Sequence, residues 1–414
     1  MNEIDALKQL RLQEEVRYVH VDHVEDWSRI VLDGLVRWSN ATIFSTIGGE
    51  LSIDLPLGPP NAGVGYLSHD PLRPQMMIRQ SMVTDIYRDA FAFPLISRRI
   101  ASETNTLDGL HRSPLFNNLP FLFSTGIPAL DANFVLAPLR PICEAMVKAH
   151  QEQKDSPLAP SDLYCRFIMF ELMLVWTFFH ELGHVVQRHF RLRSDPYRAD
   201  GADAFLEFDE RGASYDLADM ASAQPVVPDL RAQARELMAD AEALDLTLKY
   251  LLATGRLKFP MSYLLLCSIS CMFQRFYLGY ADDLTIAPRQ HPHPALRDEV
   301  SQSFLARSLC DYLAGTEQTP DREAAAITIT YLSVRASLFT GLFRSHRIEQ
   351  RDDPSTLPSY MRLQGQAHGG DMSGYLRALM PHIDEQMSEV LQWHLLPDHR
   401  LDHWQQVLKV RAKE

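Results

Sequence analysis

The segment Trp176-Thr-Phe-Phe-His180-Glu181-Leu-Gly-His184-Val-Val-Gln-Arg-His189 ends a long apolar run and contains the pattern H-E-x-x-H. Residues four apart lie on one face of a helix, so the imidazoles of His180 and His184 can reach a single Zn²⁺ ion. Glu181 lies one position along, where its carboxylate can take a proton from water. The alternative is a core helix whose two buried histidines bond to backbone or carboxylate groups. We favour a metal site, because unbound polar groups in an apolar helix are costly.

A catalytic zinc of this type needs a third protein ligand, and the best candidates lie on the next clear helical pattern. Within Ala234-Arg-Glu236-Leu-Met-Ala-Asp240, the two carboxylates stand at i and i+4 on one helix face. One can complete the metal site, and the other can accept the outer N–H of a ligating histidine. The alternative is a solvated acidic face, to which Glu242 and Asp245 also belong.

Other groups compete for the third position, and we rank them lower. His189 lies about 140° around the helix from His184, which favours a surface or packing role. His399 and His403 are also four apart but lack an intervening glutamate and lie near a polar C-terminus. A run of acidic residues lacks the helical spacing that would hold a ligand rigidly: Asp200, Asp203, Glu207, Asp209 and Glu210.

A third polar cluster follows downstream, in Pro288-Arg-Gln-His291-Pro-His293-Pro-Ala-Leu-Arg297. The two His-Pro steps predict a rigid turn that opens into a helix, because proline disfavours helix at the residue before it. A hydrolase needs a donor or cation near the developing oxyanion, and a histidine or an arginine can supply it. A plain loop with capping histidines is the alternative.

The order of these three clusters resembles the gluzincin metallopeptidases. It is similar to the HtpX and CAAX-prenyl-protease group, and closer to the bacterial phage-exclusion peptidase Lit and its relatives. The resemblance covers about residues 165–300. It implies one zinc ion per chain, with the ligands His180, His184 and Glu236. It also implies the remaining roles: Glu181 as general base, Asp240 as partner of a ligating histidine, and His291 and Arg297 at the transition-state oxyanion.

The chain departs from that family in two ways. It lacks the transmembrane segments of the membrane-bound members, which removes processing of prenylated proteins as an expected function. The additional His-Pro step leaves open whether His291 or His293 faces the metal. An edge strand before the zinc helix usually aligns the substrate in such peptidases, and by analogy the candidate is Asn133-Phe-Val-Leu-Ala-Pro.

Composition excludes several classes of protein. The 414 residues are 46% hydrophobic and 22% charged, which is typical of a globular protein and not of a disordered or fibrous one. Forty Lys and Arg residues against 53 Asp and Glu residues give a net charge of −13. This balance argues against a nucleic-acid partner or an anionic membrane, since either needs a cationic face.

Cysteine usage and hydropathy predict a soluble cytoplasmic protein. The five cysteines are scattered, odd in number and without a C-x-x-C pair. The first 15 residues are charged and contain no apolar signal core. The most apolar stretches, Phe167–Phe179 and Met261–Phe273, are shorter than the roughly 18–20 residues needed to cross a bilayer.

Patterning predicts a mainly helical α+β protein with a gluzincin-like core at 141–300, an α+β region at 1–140 and a helical region at 301–414. Apolar spacing predicts helices at about 3–18, 27–38, 161–191, 230–254, 261–280, 296–315, 321–344 and 374–396. Runs of β-forming residues predict strands at Ala41–Ile47, Leu51–Leu55, Met76–Val83 and Asn133–Leu136.

The sequence therefore predicts a zinc endopeptidase that hydrolyses a cytosolic protein or peptide, with Glu181 as base. The resemblance suggests a regulated enzyme with a role in anti-phage defence or as a toxin. Two alternatives remain open: a regulatory protein with a structural zinc site, and a zinc amidohydrolase that acts on small molecules.

Overall fold

The computed structural model describes residues 21–66, 70, 72–103, 126–153, 158–192, 228–276, 284–287, 290–344 and 371–413. The predicted helix at 3–18 and the acidic residues between Asp200 and Glu210 lie outside these ranges. One hydrophobic core cluster joins described residues from Val24 to Ala412, so all three predicted regions contribute to it.

The described part of the chain is mainly helical, as the patterning predicts. The helices are α1 (Val24–Thr42), α2 (Gln80–Glu103), α3 (Arg140–Glu152), α4 (Pro160–Val186), α5 (Leu230–Ala253), α6 (Phe259–Arg275), α7 (Pro294–Leu313), α8 (Arg322–Arg344), α9 (Asp371–Trp393) and α10 (Leu401–Arg411). The sequence patterns do not predict α2, α3 and α10. The helix α2 contains Pro94, and its first turn overlaps a run of β-forming residues that predicts a strand.

The strands form one small sheet, in the order β1 (Ser52–Asp54), β3 (Pro74–Ile78), β2 (Ala62–Tyr66). The central strand β3 pairs parallel with β1 and antiparallel with β2. The edge strand β2 packs against α4, the helix that carries the H-E-x-x-H pattern. The sheet therefore packs against the helix that carries two of the candidate ligands.

Two predicted strands are wrong, for local reasons. In the run Ala41–Ile47, the Ser45 and Thr46 hydroxyls bond to carbonyls three or four residues earlier, and the segment forms the end of α1 and a 3₁₀ turn. In the run Asn133–Leu136, the Asp131 carboxylate accepts the backbone N–H of Asn133 and starts a 3₁₀ turn. This second segment was our candidate for the substrate-aligning strand, which it therefore cannot be.

The ends of the two central helices are set by capping. The N-cap of α4 is Ala159, and its backbone N–H donates to the Asp162 carboxylate at 2.8 Å. The N-cap of α5 is Asp229, whose side chain accepts the backbone N–H of Ala232 at 2.9 Å. After α5, Gly255 adopts φ 66°, the left-handed conformation that favours glycine.

Among the described residues, two helices are long and apolar enough to cross a membrane, α4 and α8. The apolar window of α4 is 94% buried inside the protein, as expected of a core helix, and that of α8 is 50% buried. The α4 segment contains the shorter stretch Phe167–Phe179 that hydropathy indicates in the sequence, whereas α8 is not among the apolar stretches named there. The absence of a membrane partner stays a prediction.

The helices α4 and α5 cross closely at Gly183. A Cβ atom at this position would lie 3.1 Å from the carbonyl oxygen of Ala239 and 3.3 Å from both Ala239 Cα and Glu242 Cβ. Two of these three neighbours are backbone atoms, so they cannot yield by changing a rotamer. Small residues at positions 183 and 239 thus set the distance between the helices.

Gly183→Ala should lower the free energy of unfolding by about 1–3 kcal/mol, because the added methyl forces the two backbones apart. Denaturant unfolding of the purified variant measures the loss. Gly34→Ala is the matched control: it lies inside α1, and its Cβ would meet only the end of the Arg37 side chain, at 4.0 Å. The control should be neutral or stabilising by up to about 1 kcal/mol. Equal stability of the two variants would contradict the close crossing.

Candidate metal centre

The side chains of His180, His184 and Glu236 converge across the crossing of α4 and α5, with one ligand atom of each within 4.8 Å of the others. His180 Nε2 lies 3.4 Å from His184 Nε2 and 3.4 Å from Glu236 Oε2. His184 Nε2 lies 3.6 Å from Glu236 Oε1. These three residues form a group that could hold a metal ion.

The separations of the donor atoms fit a small ion with tetrahedral ligands. Ligands at about 2.0–2.2 Å from such an ion lie about 3.3–3.6 Å from one another. The separations of 3.4–3.6 Å match this range and are long for hydrogen bonds. Glu236 Oε2 is buried and accepts no hydrogen bond of good geometry in the described part of the chain. A cation would satisfy this oxygen.

The outer nitrogen of His180 is held by a carboxylate. His180 Nδ1 lies 3.0 Å from Asp240 Oδ1, so Nε2 of the same ring faces the other ligands. Asp240 is held in turn by Arg297, which donates from Nε to Oδ2 at 2.8 Å and from Nη2 to Oδ1 at 2.7 Å. The Arg297 guanidinium packs over the rings of Phe273 and Phe276. Its two bonds to Asp240 fix the carboxylate that orients His180.

His291 and His293 have separate positions. His291 Nε2 lies 3.6 Å from Glu236 Oε2, and its side chain is 32% exposed. His293 is buried and caps α7, where its Nδ1 accepts the backbone N–H of Ala295 at 3.1 Å. His291 is therefore the histidine beside the ligand group, and Pro294 opens the helix as the His-Pro steps predict.

Burial and charged neighbours shift the pKa values of three groups at the site, His180, Glu236 and His291. Burial lowers the pKa of His180, but the neighbouring carboxylates of Asp240 and Glu236 outweigh burial and raise this pKa to about 10. Burial raises the pKa of Glu236, but His291, His180 and His184 bring it well below its usual range. Burial and the charge on Arg297 lower the pKa of His291, although Glu236 opposes them, so its ring is neutral at pH 7.

Glu181 is 2% exposed and does not belong to the ligand group. It lies one residue after His180 and three before His184, which puts its side chain close to the face of α4 that carries the ligands. The pair His399 and His403 belongs to no candidate metal group in the described ranges.

Several contacts that surround the site were not predicted from the sequence. The Trp176 ring stacks on His180, one helical turn before it, with ring centroids 5.4 Å apart. His189 is buried, and its Nδ1 lies 2.8 Å from His184 Nδ1. Glu242 contacts His394 Nε2 at 2.9 Å. The i, i+4 spacing of Trp176 and His180 could have predicted the first contact. The other two contacts follow only from the folded structure.

No model of a known protein family, no curated protein and no solved structure matches this chain. The likeness to gluzincins therefore depends on the motifs in the sequence.

The protein should take up about one zinc ion per chain, and uptake at pH 7 should release at least one proton. Since the pKa of His180 is about 10, its imidazole carries a proton at pH 7 that ligation must displace. A higher pH makes this proton easier to remove, so affinity should rise about tenfold per pH unit between pH 7 and 8.5. Calorimetry in buffers of different ionisation enthalpy counts the protons.

The matched variant for this measurement is His184→Ala, which removes one ligand and should lose most of the zinc. Near-stoichiometric zinc in that variant, or uptake without proton release in the unmodified protein, would contradict the ligand set.

Asp240→Asn should weaken metal binding by about 10–100-fold, because an amide holds the His180 N–H less well than a carboxylate. The control is Glu242→Gln, a buried carboxylate on the same helix whose contacts are His394 and Gln187. Competition with a chelator gives both affinities. A loss of metal affinity in Glu242→Gln alone would show that the partner of the His180 N–H lies on the other face of α5.

Proposed function

We propose that this protein is a zinc-dependent endopeptidase in which Glu181 is the general base. The observation that supports this most directly is the His180, His184 and Glu236 group at the helix crossing, with a further buried carboxylate, Glu181, next to His180 in the chain. Two imidazoles and one carboxylate are a ligand set that catalytic zinc sites use.

The number of ligands favours catalysis over a structural zinc site. A structural site is closed by four protein ligands, whereas a catalytic site uses three and leaves one position for water or substrate. The candidate group in the described part of the chain has three members. A structural site also has no use for Glu181, since burial of an extra carboxylate is costly.

Bound zinc would polarise a substrate carbonyl and make a neighbouring water more acidic. Glu181 would take the proton of the attacking water and return it to the leaving amine. His291, which is partly exposed and neutral at pH 7, would donate its N–H to the developing oxyanion. Asp240 would hold His180 in the tautomer that presents Nε2 to the metal.

Arg297 has a different contribution in this proposal from the one that the resemblance implies. Its Nε and Nη2 both donate to Asp240, and Nη2 also lies 3.5 Å from Glu236 Oε2. Because the Arg297 guanidinium is bonded to Asp240 and lies near Glu236, it is suited to positioning these two carboxylates. We assign the oxyanion to His291, with Arg297 orienting Asp240.

A peptide substrate is supported by the position of β2. This strand pairs with β3 on one side and packs against the helix that carries His180 and His184. An extended peptide could add to the sheet at this edge, with main-chain hydrogen bonds that align its backbone. We therefore propose β2 as the aligning strand, in place of the segment that starts at Asn133.

The wider setting of the proposal comes from the resemblance. A gluzincin related to the phage-exclusion peptidase would cleave a cytosolic protein, under control of a partner or trigger, in anti-phage defence or as a toxin. The net charge of −13 argues against nucleic acid as that partner.

Glu181→Gln should keep its zinc while hydrolysis falls by orders of magnitude, because the amide has the size of the carboxylate but cannot accept the proton. Mass spectrometry of new protein N-termini in a lysate, compared between the two proteins, measures cleavage. New termini from both proteins alike would remove Glu181 as base. Zinc binding without any cleavage by the unmodified protein would favour the structural-site alternative.

His291→Ala should lower kcat by about 10²–10³, with zinc content and thermal stability near those of the unmodified protein. The matched control is His293→Asn, because asparagine can replace His293 as the cap of α7. The control should retain most activity. A larger loss of kcat in the control than in His291→Ala would reverse the assignment of the two histidines.

A further inference from the structure

The two histidines of the ligand group have different outer partners. The outer nitrogen of His180 meets the carboxylate of Asp240. The outer nitrogen of His184 meets another imidazole, with His184 Nδ1 and His189 Nδ1 2.8 Å apart. His189 is fully buried, and the proposed mechanism gives it no part.

A turn with a left-handed residue brings His189 back to the helix. On a continued helix, its side chain would point about 140° away from that of His184. The helix instead ends at Val186, and Arg188 adopts φ 52° and ψ 43°. This conformation is uncommon for a residue with a side chain, and it reverses the chain direction. A short 3₁₀ turn, His189–Arg191, follows and places the His189 ring against His184.

The distance between the two nitrogens requires one hydrogen between them. If His184 ligates a metal through Nε2, that atom carries no proton, so the proton of the neutral ring is on Nδ1. His184 Nδ1 then donates, and His189 Nδ1 accepts. In this arrangement His189 is neutral and carries its own proton on Nε2.

We propose that His189 is a positioning residue, a neutral acceptor that fixes the tautomer and the ring orientation of His184. The assignment rests on the proposed metal site. The two ligands are then unequal, because the imidazole of His189 accepts a weaker hydrogen bond from His184 than the carboxylate of Asp240 accepts from His180. The positions of both rings are then set by side chains outside the ligand group.

Two isosteric variants separate an acceptor from a packing residue. His189→Asn retains an acceptor, because Oδ1 of asparagine takes nearly the position of Nδ1 of histidine. His189→Leu has the same shape as the asparagine variant and lacks the acceptor. Competition with a chelator should give a 10–100-fold loss of Zn²⁺ affinity for leucine and less than about threefold for asparagine. The visible spectrum of bound Co²⁺ should change in the leucine variant alone.

Equal losses in both variants, or no loss in the leucine variant, would overturn the proposal. A second test observes the tautomers in the unmodified protein with ¹⁵N-labelled histidine, and it uses a variant at position 189 only to assign signals. With Zn²⁺ bound, long-range ¹H–¹⁵N correlations should show His184 protonated on Nδ1 and His189 on Nε2. The assignment of these signals comes from the asparagine variant, and the opposite tautomers would also overturn the proposal.

Failure of this inference is distinct from failure of the metal site. If the unmodified protein binds no Zn²⁺, or if His184→Ala binds it equally well, the proposed function fails. If the unmodified protein binds Zn²⁺, His184→Ala does not, and His189→Leu binds as tightly as the unmodified protein, the positioning role alone is wrong.

Discussion

The close crossing of α4 and α5 is the constraint on which the candidate site depends. The ligands come from both helices, and the distances of 3.4 Å and 3.6 Å from the histidine nitrogens to the Glu236 carboxylate exist only at the observed helix separation. Gly183 and Ala239 permit this separation because neither has a side chain that would hold the backbones apart. The glycine within H-E-L-G-H therefore has a structural role distinct from the chemistry of its neighbours.

The balance of buried charge gives a second reason for a divalent cation at this crossing. Two carboxylates, Glu236 and Asp240, lie within 3.5 Å of one guanidinium, that of Arg297, and a third, buried carboxylate, Glu181, follows His180 in the chain. With neutral histidines, their formal charges leave two negative charges, which a divalent ion would neutralise. Buried charge that is not balanced is costly, so this excess is itself an argument for a cation. The raised pKa of His180 agrees with it, since a proton there supplies part of the missing charge.

The parts of the site that the sequence predicts are those set by local periodicity. Helical spacing of four residues brings His180 to His184 and Glu236 to Asp240, and both pairs follow from the order of residues alone. The position of His189 does not, because it depends on the left-handed backbone of Arg188, which helical periodicity does not anticipate. A local hydrogen bond also explains why the predicted strand at Asn133 is wrong. The backbone N–H of Asn133 donates to the Asp131 carboxylate, and this bond outweighs β-propensity.

Sequence patterns also do not predict the contacts between distant parts of the chain. These contacts connect the C-terminal region to the candidate site. The backbone N–H of Leu395 donates to the carbonyl of Val186, the last residue of α4, at 2.9 Å. His394 contacts Glu242 on α5, and the guanidinium of Arg191 packs over the ring of Trp393. The chain that follows α9 thus contacts both ligand-bearing helices.

These contacts lie next to the segment that turns His189 toward His184. An unpaired helix end tends to fray, and here the last carbonyl of α4 is satisfied by a residue more than 200 positions away. Since the turn at Arg188 begins where α4 ends, the C-terminal segment stabilises the geometry that gives His184 its outer partner. The segment around His394 and Leu395 is in this way a structural part of the candidate metal centre.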